Sequence, residues 1–139
     1  MDVHDKVTRS YNMSKIRSVN TKPEEKVRRY LFANGFRYKK NFSELPGKPD
    51  IVLTKYKTCI FINGCFWHKH EGCKYFVWPK NNAEFWKDKI NSNVQRDTVV
   101  YKKLKELGWA VIVIWECSLK SDFEKTMRIT IKKIKLENQ

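Results

Sequence analysis

The sequence predicts a mixed α/β domain in which one sheet is flanked by helices. Two near-continuous apolar segments, residues 58–62 and 109–115, are typical of buried strands. Between them, residues 81–107 carry apolar side chains every three or four positions, which predicts a long amphipathic helix. A chain of 139 residues with 41% hydrophobic residues can bury one core. We therefore expect one main domain over residues 21–139, preceded by an arm over residues 1–20.

The charge of the chain points to a polyanionic partner. Its 29 Lys and Arg residues outnumber 15 Asp and Glu residues, which gives a formal net charge of +14. A solubilising surface is the alternative, but aromatic residues make up 14% of the chain, and that combination holds phosphates while stacking on bases. The arm is expected to contact DNA, although a frayed terminus would have the same composition. Its candidate phosphate contacts are Lys6, Arg9, Lys15 and Arg17.

The sequence contains neither a membrane span nor a signal peptide pattern. No apolar run approaches the roughly 18–20 residues that a transmembrane helix requires. We therefore expect a cytoplasmic protein. In that compartment four cysteines favour metal binding or free thiols over disulfides.

Two carboxylates open predicted elements. Thr21 and Glu24 have the spacing of a capping box, so Glu24 already has a structural explanation. A strand with one basic face is expected over residues 36–42, and a Pro- and Gly-containing loop then leads to Asp50 at the start of the strand 51–53. An Asp that begins one central strand beside the end of another is the layout of a metal-dependent nuclease, although Pro-Asp alone is common in turns.

The long predicted helix has a carboxylate on its apolar face. The residues that share this face are Trp86, Ile90, Val94, Asp97, Tyr101 and Leu104. An unpaired buried charge costs at least several kcal/mol. A salt bridge to Arg96 or a lysine would satisfy Asp97, but we favour a histidine or a metal-bound water as its partner.

A cysteine–histidine cluster predicts a structural zinc site. Cys65, His70 and Cys73 lie within nine residues, and Cys117 follows the last predicted strand. Together they form a complete Cys₃His set, which leaves no open position for a substrate. Scattered reduced cysteines are the alternative, and Cys59, among apolar residues, is interpreted as a buried thiol.

The residues between the zinc ligands have other candidate roles. His68 is free to act as a general acid or base, with Asp97 fixing its tautomer, although spacing alone leaves open whether His68 or His70 binds zinc. Phe66, Trp67 and Trp86 could stack on bases or wedge between them. The alternative for these aromatics is packing over the zinc loop.

Several motifs together resemble the very-short-patch-repair (Vsr) mismatch endonuclease family. The most specific are Gly64-Cys65-Phe66-Trp67-His68 and Trp115-Glu116-Cys117, in that order. The supporting segments are Thr8-Arg9-Ser10 with Asn12-Met13, Pro23-Glu24, Pro46-Gly47-Lys48-Pro49-Asp50, Phe85-Trp86 with Lys89-Ile90, Asn93 with Arg96-Asp97, and Gly108-Trp109. The resemblance extends from about residue 3 to residue 119.

The resemblance implies a restriction-endonuclease-like fold and a Mg²⁺-dependent nick in one strand, 5′ of the thymine in a T:G mismatch. Such mismatches arise when 5-methylcytosine deaminates. The implied partner is mismatched double-stranded DNA, and a mismatch-repair factor of the MutL type is a second expected partner. We expect a monomer in the bacterial cytoplasm that joins the nucleoid when bound to DNA.

The resemblance also implies roles for single residues. Asp50 would bind Mg²⁺ through its carboxylate, and Ile62 through its backbone carbonyl. His68 would activate the attacking water with support from Asp97, and Glu24 would lie at the edge of the site. The implied intercalating wedge is Phe66, Trp67 and Trp86.

The chain departs from the family at one candidate catalytic position. Vsr proteins commonly have His or Asp where this chain has Asn63. Asn cannot transfer a proton at neutral pH, although it can hold a water or a phosphate oxygen. Two alternatives therefore stay open: a mismatch-binding protein with weak or no catalysis, and a restriction-type nuclease that cuts paired DNA.

Overall fold

The computed structural model describes residues 21–40 and 42–137, so the predicted N-terminal arm lies outside the described residues. The helices are α1 (Lys22–Ala33), α2 (Ala83–Glu106), α3 (Glu116–Ser121) and α4 (Phe123–Glu137). The strands are β1 (Lys39–Lys40), β2 (Ile51–Leu53), β3 (Thr58–Asn63) and β4 (Ala110–Trp115). A 3₁₀ turn over Thr54–Tyr56 separates β2 from β3.

The four strands form one mixed sheet in the order β1-β2-β3-β4. The pairs β1–β2 and β2–β3 are antiparallel, and β3–β4 is parallel. Asn63 pairs with Trp115, so the carboxyl ends of β3 and β4 meet at the same edge of the sheet. Ile51 pairs with Ile60, so Asp50 lies beside the end of β3. This register gathers the candidate site residues at one edge.

Helices pack on both faces of the sheet because β3 is buried along its whole length and alternates its side chains between two cores. On one face α1 and α4 cover a core that includes Val27, Leu31, Ile60, Ile62, Met127 and Ile134. On the other face Leu104 of α2 packs in a second core with Val52, Cys59 and Phe61. The predicted α/β class, with helices flanking a mixed sheet, is confirmed.

The first strand is shorter than its pattern predicted. Residues 36–42 alternate as a strand would, but among the described residues of this stretch only Lys39 and Lys40 pair with β2. Past Lys40, the Phe42 N–H donates to the Pro49 carbonyl at 3.2 Å, which lies outside β2. At its other end β2 stops at Leu53, before a 3₁₀ turn. The predicted long helix, in contrast, runs unbroken as α2. No helix of the described residues is long and apolar enough to cross a membrane.

Candidate active site and metal cluster

Asp50 is held at the sheet edge by the backbone of β3. The Ile62 N–H donates a hydrogen bond of 2.7 Å to Asp50 Oδ2. Burial raises the pKa of Asp50 to about 7; the nearby Glu24 carboxylate raises it further, while the Ile62 bond, His68 and Arg28 oppose the rise. A buried carboxyl with a raised pKa beside a second carboxylate is a site that a cation would stabilise.

The backbone of Ile62 also faces this site. In an extended strand, the N–H and the C=O of one residue point toward the same side of the strand. The Ile62 N–H points to Asp50, so its carbonyl lies on the Asp50 side of β3. A carboxylate and a carbonyl are the hard oxygen donors that Mg²⁺ prefers. The residues that the family resemblance implies as Mg²⁺ ligands therefore fit that ion.

Arg28 is a charged residue of the site that the sequence analysis did not single out. Glu24 and Arg28 are both buried, and their side chains form an ion pair of 3.6 Å one turn apart on α1. Thr21 caps this helix by accepting from the Glu24 N–H at 3.4 Å. The i, i+4 spacing of Glu24 and Arg28 was the available signal. The pair brings one negative and one positive side chain to Asp50.

His68 and Asp97 form the closest side-chain pair of the site. His68 Nδ1 lies 2.6 Å from Asp97 Oδ2, and both side chains are about one quarter exposed. His68 lies in the turn after β3, where its backbone N–H donates to the Gly64 carbonyl at 3.2 Å. Asp97 projects from α2. The Asp97 carboxylate accepts a hydrogen bond from Nδ1–H, which leaves Nε2 free to accept a proton. The geometry suits general-base chemistry next to Asp50.

Asn63 and Tyr101 make a second side-chain contact at the same edge. Asn63 Nδ2 donates to the Tyr101 hydroxyl at 2.9 Å, and Asn63 is buried. Burial raises the pKa of Tyr101 to about 12; the Asn63 bond opposes the rise, and the charges of Asp97 and Asp50 add to it. The sequence placed Tyr101 only on the inward face of a helix. Its partner is 38 residues away in the chain, so helical periodicity could not find it.

The cysteine–histidine set converges as a possible metal site. One ligand atom from each of Cys65, His70, Cys73 and Cys117 lies within 4.8 Å of the others. Cys117 Sγ is 3.3 Å from His70 Nδ1, and the His70 ring stacks on Trp115 at 4.1 Å with an interplanar angle of 5°. His70 is therefore in the cluster, while His68 lies with Asp97.

The thiols of the cluster have unequal acidities. Burial raises the pKa of Cys65 to about 12, and the Tyr75 backbone N–H lowers the pKa of Cys73. A buried thiol of this kind releases its proton to solvent readily only when a cation takes the resulting thiolate as a ligand. Three sulfurs and one imidazole nitrogen suit tetrahedral zinc. The remaining cysteine, Cys59, is fully buried in the core, as predicted.

Phe66, Trp67 and Trp86 form one aromatic cluster. Their ring centroids are 5.3 to 5.8 Å apart, and the Trp67 side chain is 44% exposed. Asn93 Nδ2 holds the Trp67 carbonyl at 3.1 Å, which ties the cluster to α2. Phe85, 59% exposed, extends it through Trp86. An aromatic cluster with exposed rings, in which Phe66 and Trp67 directly precede His68 in the chain, is suited to base stacking.

Comparison with known proteins decides the family. The profile described as DNA mismatch endonuclease Vsr matches residues 1–74. The DNA mismatch endonuclease Vsr of Escherichia coli K12 is 44% identical over 119 residues, which are 86% of this chain and 76% of that protein. The chain belongs to the Vsr family of DNA mismatch endonucleases.

Other relatives are described as type II nicking enzymes. The type II nicking enzyme V.NmeAIP of Neisseria meningitidis serogroup A is 50% identical over 120 residues, 86% of this chain and 85% of that protein. The type II nicking enzyme V.XorIIP of Xanthomonas oryzae pv. oryzae is 41% identical over 111 residues, 80% of this chain and 81% of that protein. The chain is therefore a DNA endonuclease of a mismatch-repair family, and the predicted family is confirmed.

Proposed function

We propose that this protein nicks one DNA strand 5′ of the thymine in T:G mismatches that arise from 5-methylcytosine deamination, in a reaction that requires Mg²⁺. The observation that carries the proposal is the 2.6 Å contact of His68 with Asp97, next to the buried Asp50. A base and a cation-seeking carboxylate at one sheet edge provide the parts of a hydrolytic phosphodiester site.

His68 would be the general base. Its Nδ1 donates to Asp97, so Nε2 would take a proton from the water that attacks phosphorus. The Asp97 carboxylate would hold the ring in that tautomer and stabilise the imidazolium that forms. Asp97 thereby acts through His68, without touching the substrate.

Asp50 and the Ile62 carbonyl would hold the Mg²⁺, which when bound would stabilise negative charge on the cleaved phosphodiester. Asp50 has a pKa raised to about 7, so a cation would favour its ionised form. Glu24, paired with Arg28, would add negative charge at the edge of this site without binding the ion directly.

Phe66, Trp67 and Trp86 would form the wedge that enters the DNA at the mismatch. Separating a base step costs a few kcal/mol, and the cost is lowest at a mismatched step. Support comes from the exposure of Trp67 together with its contacts to both other rings. Zn²⁺ bound by Cys65, His70, Cys73 and Cys117 would fix the loop that carries two of these rings.

The remaining proposals concern partners and context. A monomer is sufficient for a nick in one strand, and residues 1–20 would contact the DNA backbone through their lysines and arginines. A MutL-type mismatch-repair factor is a proposed protein partner. We propose a cytoplasmic enzyme that is associated with the nucleoid while it is bound to DNA.

The test is a nicking assay on matched substrates. Duplexes of one sequence that carry T:G, T:A or C:G at one position would be labelled on each strand in turn and incubated with Mg²⁺ or EDTA. We expect a single nick in the T:G duplex, in the T strand, only with Mg²⁺, and none with Asp50→Ala. Equal cleavage of T:A and T:G would indicate a restriction-type nuclease, and binding without cleavage would indicate a mismatch-binding protein.

A further inference from the structure

The Asn63–Tyr101 contact joins the two elements that build the candidate active site. Asn63 is the last residue of β3 and directly follows Ile62, whose N–H binds Asp50. Tyr101 lies one helical turn after Asp97 on α2. The contact between them, Nδ2 to Oη at 2.9 Å, therefore connects the residue next to Ile62 with the residue one turn from Asp97.

The direction of this hydrogen bond leaves one proton available. Asn63 donates to the Tyr101 oxygen, so the phenolic O–H is not used in this bond. Among the described residues, Asn63 is the one hydrogen-bond partner of this hydroxyl. The Tyr101 ring packs against the Phe61 ring, with ring centroids 5.1 Å apart. The hydroxyl is thus a donor whose position is set by packing and by one amide.

Negatively charged side chains act on the hydroxyl. Asp97 and Asp50 both act on Tyr101 in the direction that keeps its proton bound, and burial does so more strongly. A neutral donor placed among carboxylates does not repel an anionic substrate and does not compete for a cation. Such a group is suited to a phosphate oxygen that gains negative charge as the bond to phosphorus breaks.

We propose that Tyr101 is a further catalytic residue, whose hydroxyl donates a hydrogen bond to the reacting phosphodiester, and that Asn63 is the positioning residue that aims this hydroxyl. The proposal rests on the nicking activity proposed above. It assigns a task to Asn63 that needs no proton transfer, which an amide cannot perform.

The test is a set of single-turnover nicking rates on a T:G duplex at saturating enzyme. Tyr101→Phe should lower the rate about 10–100-fold, in the range that the loss of one preorganised donor produces. The dissociation constant for the duplex, measured in Ca²⁺ or EDTA, should stay within about twofold. Tyr56→Phe is the matched control, because it removes a tyrosine hydroxyl beside the opposite core.

The Asn63 variant shows whether the two residues act as one unit. Asn63→Ala should lower the rate about as far as Tyr101→Phe, and the double variant should be no slower than the slower single variant. Multiplied losses would mean that Asn63 acts without Tyr101 and would overturn the positioning role.

Three further outcomes would contradict the proposal. A wild-type rate in Tyr101→Phe overturns it while leaving the nicking function intact. A slower rate that comes with a clearly lower unfolding temperature, or with a loss of duplex affinity by the same factor, would make Tyr101 a structural residue. If the wild-type protein nicks no T:G duplex, the proposed function fails first, and the role of Tyr101 fails with it.

Discussion

His68 and Asp97 are 29 residues apart in the chain and 2.6 Å apart in the structure. The turn after β3 carries the histidine, and the middle of α2 carries the carboxylate. Because Asp97 occupies Nδ1, only Nε2 of the ring can act on a substrate. This arrangement makes the proposed base sensitive to its partner as well as to its own replacement.

Asp97→Asn should lower the nicking rate about 10²–10⁴-fold while leaving duplex affinity nearly unchanged. The amide keeps the size of the carboxylate, but it cannot stabilise an imidazolium and it permits the wrong tautomer. Single-turnover rates measure this loss. Asp88→Asn, an exposed position on the same helix, is the control and should nick at the wild-type rate. Equal rates for both variants would remove Asp97 from the mechanism.

Asp50 should make the metal-free protein less stable at high pH. Its pKa is raised from 3.8 to about 7 in the folded state. At pH values between these two, the folded protein therefore carries a proton on Asp50 that the unfolded chain has lost. The stability contributed by this proton is complete below about pH 4 and is lost as pH rises through about 7. Asp50→Asn should therefore raise the free energy of unfolding in EDTA at pH 8 by up to a few kcal/mol, since one pKa unit corresponds to about 1.4 kcal/mol.

The difference in the free energy of unfolding between wild type and Asp50→Asn should shrink steadily as the pH falls from 8 toward 4. Denaturant melts at four or five pH values would show the trend. A variant that is less stable than wild type at every pH would mean that the Asp50–Ile62 hydrogen bond outweighs the cost of the buried charge. Adding Mg²⁺ at pH 8 should stabilise wild type and leave the variant unchanged.

The cysteine–histidine cluster should retain about one zinc per chain after mild chelation. Cys117→Ala should release the zinc and lower the unfolding temperature, because this ligand connects the loop to the end of β4. Metal analysis by mass spectrometry checks the content. Cys59→Ala removes a buried thiol outside the cluster and should keep its zinc. Equal zinc content in both variants would exclude the site.

Trp67→Ala should weaken binding to a T:G duplex by roughly 1–3 kcal/mol, the usual cost of losing one stacking aromatic. The side chain is 44% exposed, so the fold should survive its removal. Titration of a labelled duplex measures the effect, and circular dichroism checks the fold. Phe32→Ala, an aromatic 54% exposed on α1, serves as the control. Unfolding of the Trp67 variant would assign this residue to the core.

The local patterns of the sequence predicted much of the fold. The apolar run of β3, the three-to-four residue period of α2 and the capping residue Thr21 each predicted an element that the structure contains. The length of β1 was not predictable in this way, because it depends on the backbone pairing with β2 that the tertiary fold sets. The N-terminal arm lies outside the described residues, so its role stays a prediction.

The candidate site divides in a similar way. Asp50, His68 and the cysteine–histidine set were predicted from residue type and spacing, and the structure brings them to one edge of the sheet. Tyr101 was missed because its hydroxyl gains a role only through Asn63, a contact made by the tertiary fold. Arg28 was missed because its i, i+4 spacing from Glu24, although visible in a highly basic chain, does not show that the pair is buried.

The most direct measurement is the cleavage of a T:G duplex labelled on one strand at a time, in Mg²⁺, by wild type and by His68→Ala. We predict one product, cut 5′ of the mismatched thymine, formed by wild type and reduced at least 100-fold in the variant. Unchanged cleavage by His68→Ala, or cleavage of a matched T:A duplex at the same rate, would contradict a mismatch nickase that uses His68 as its base.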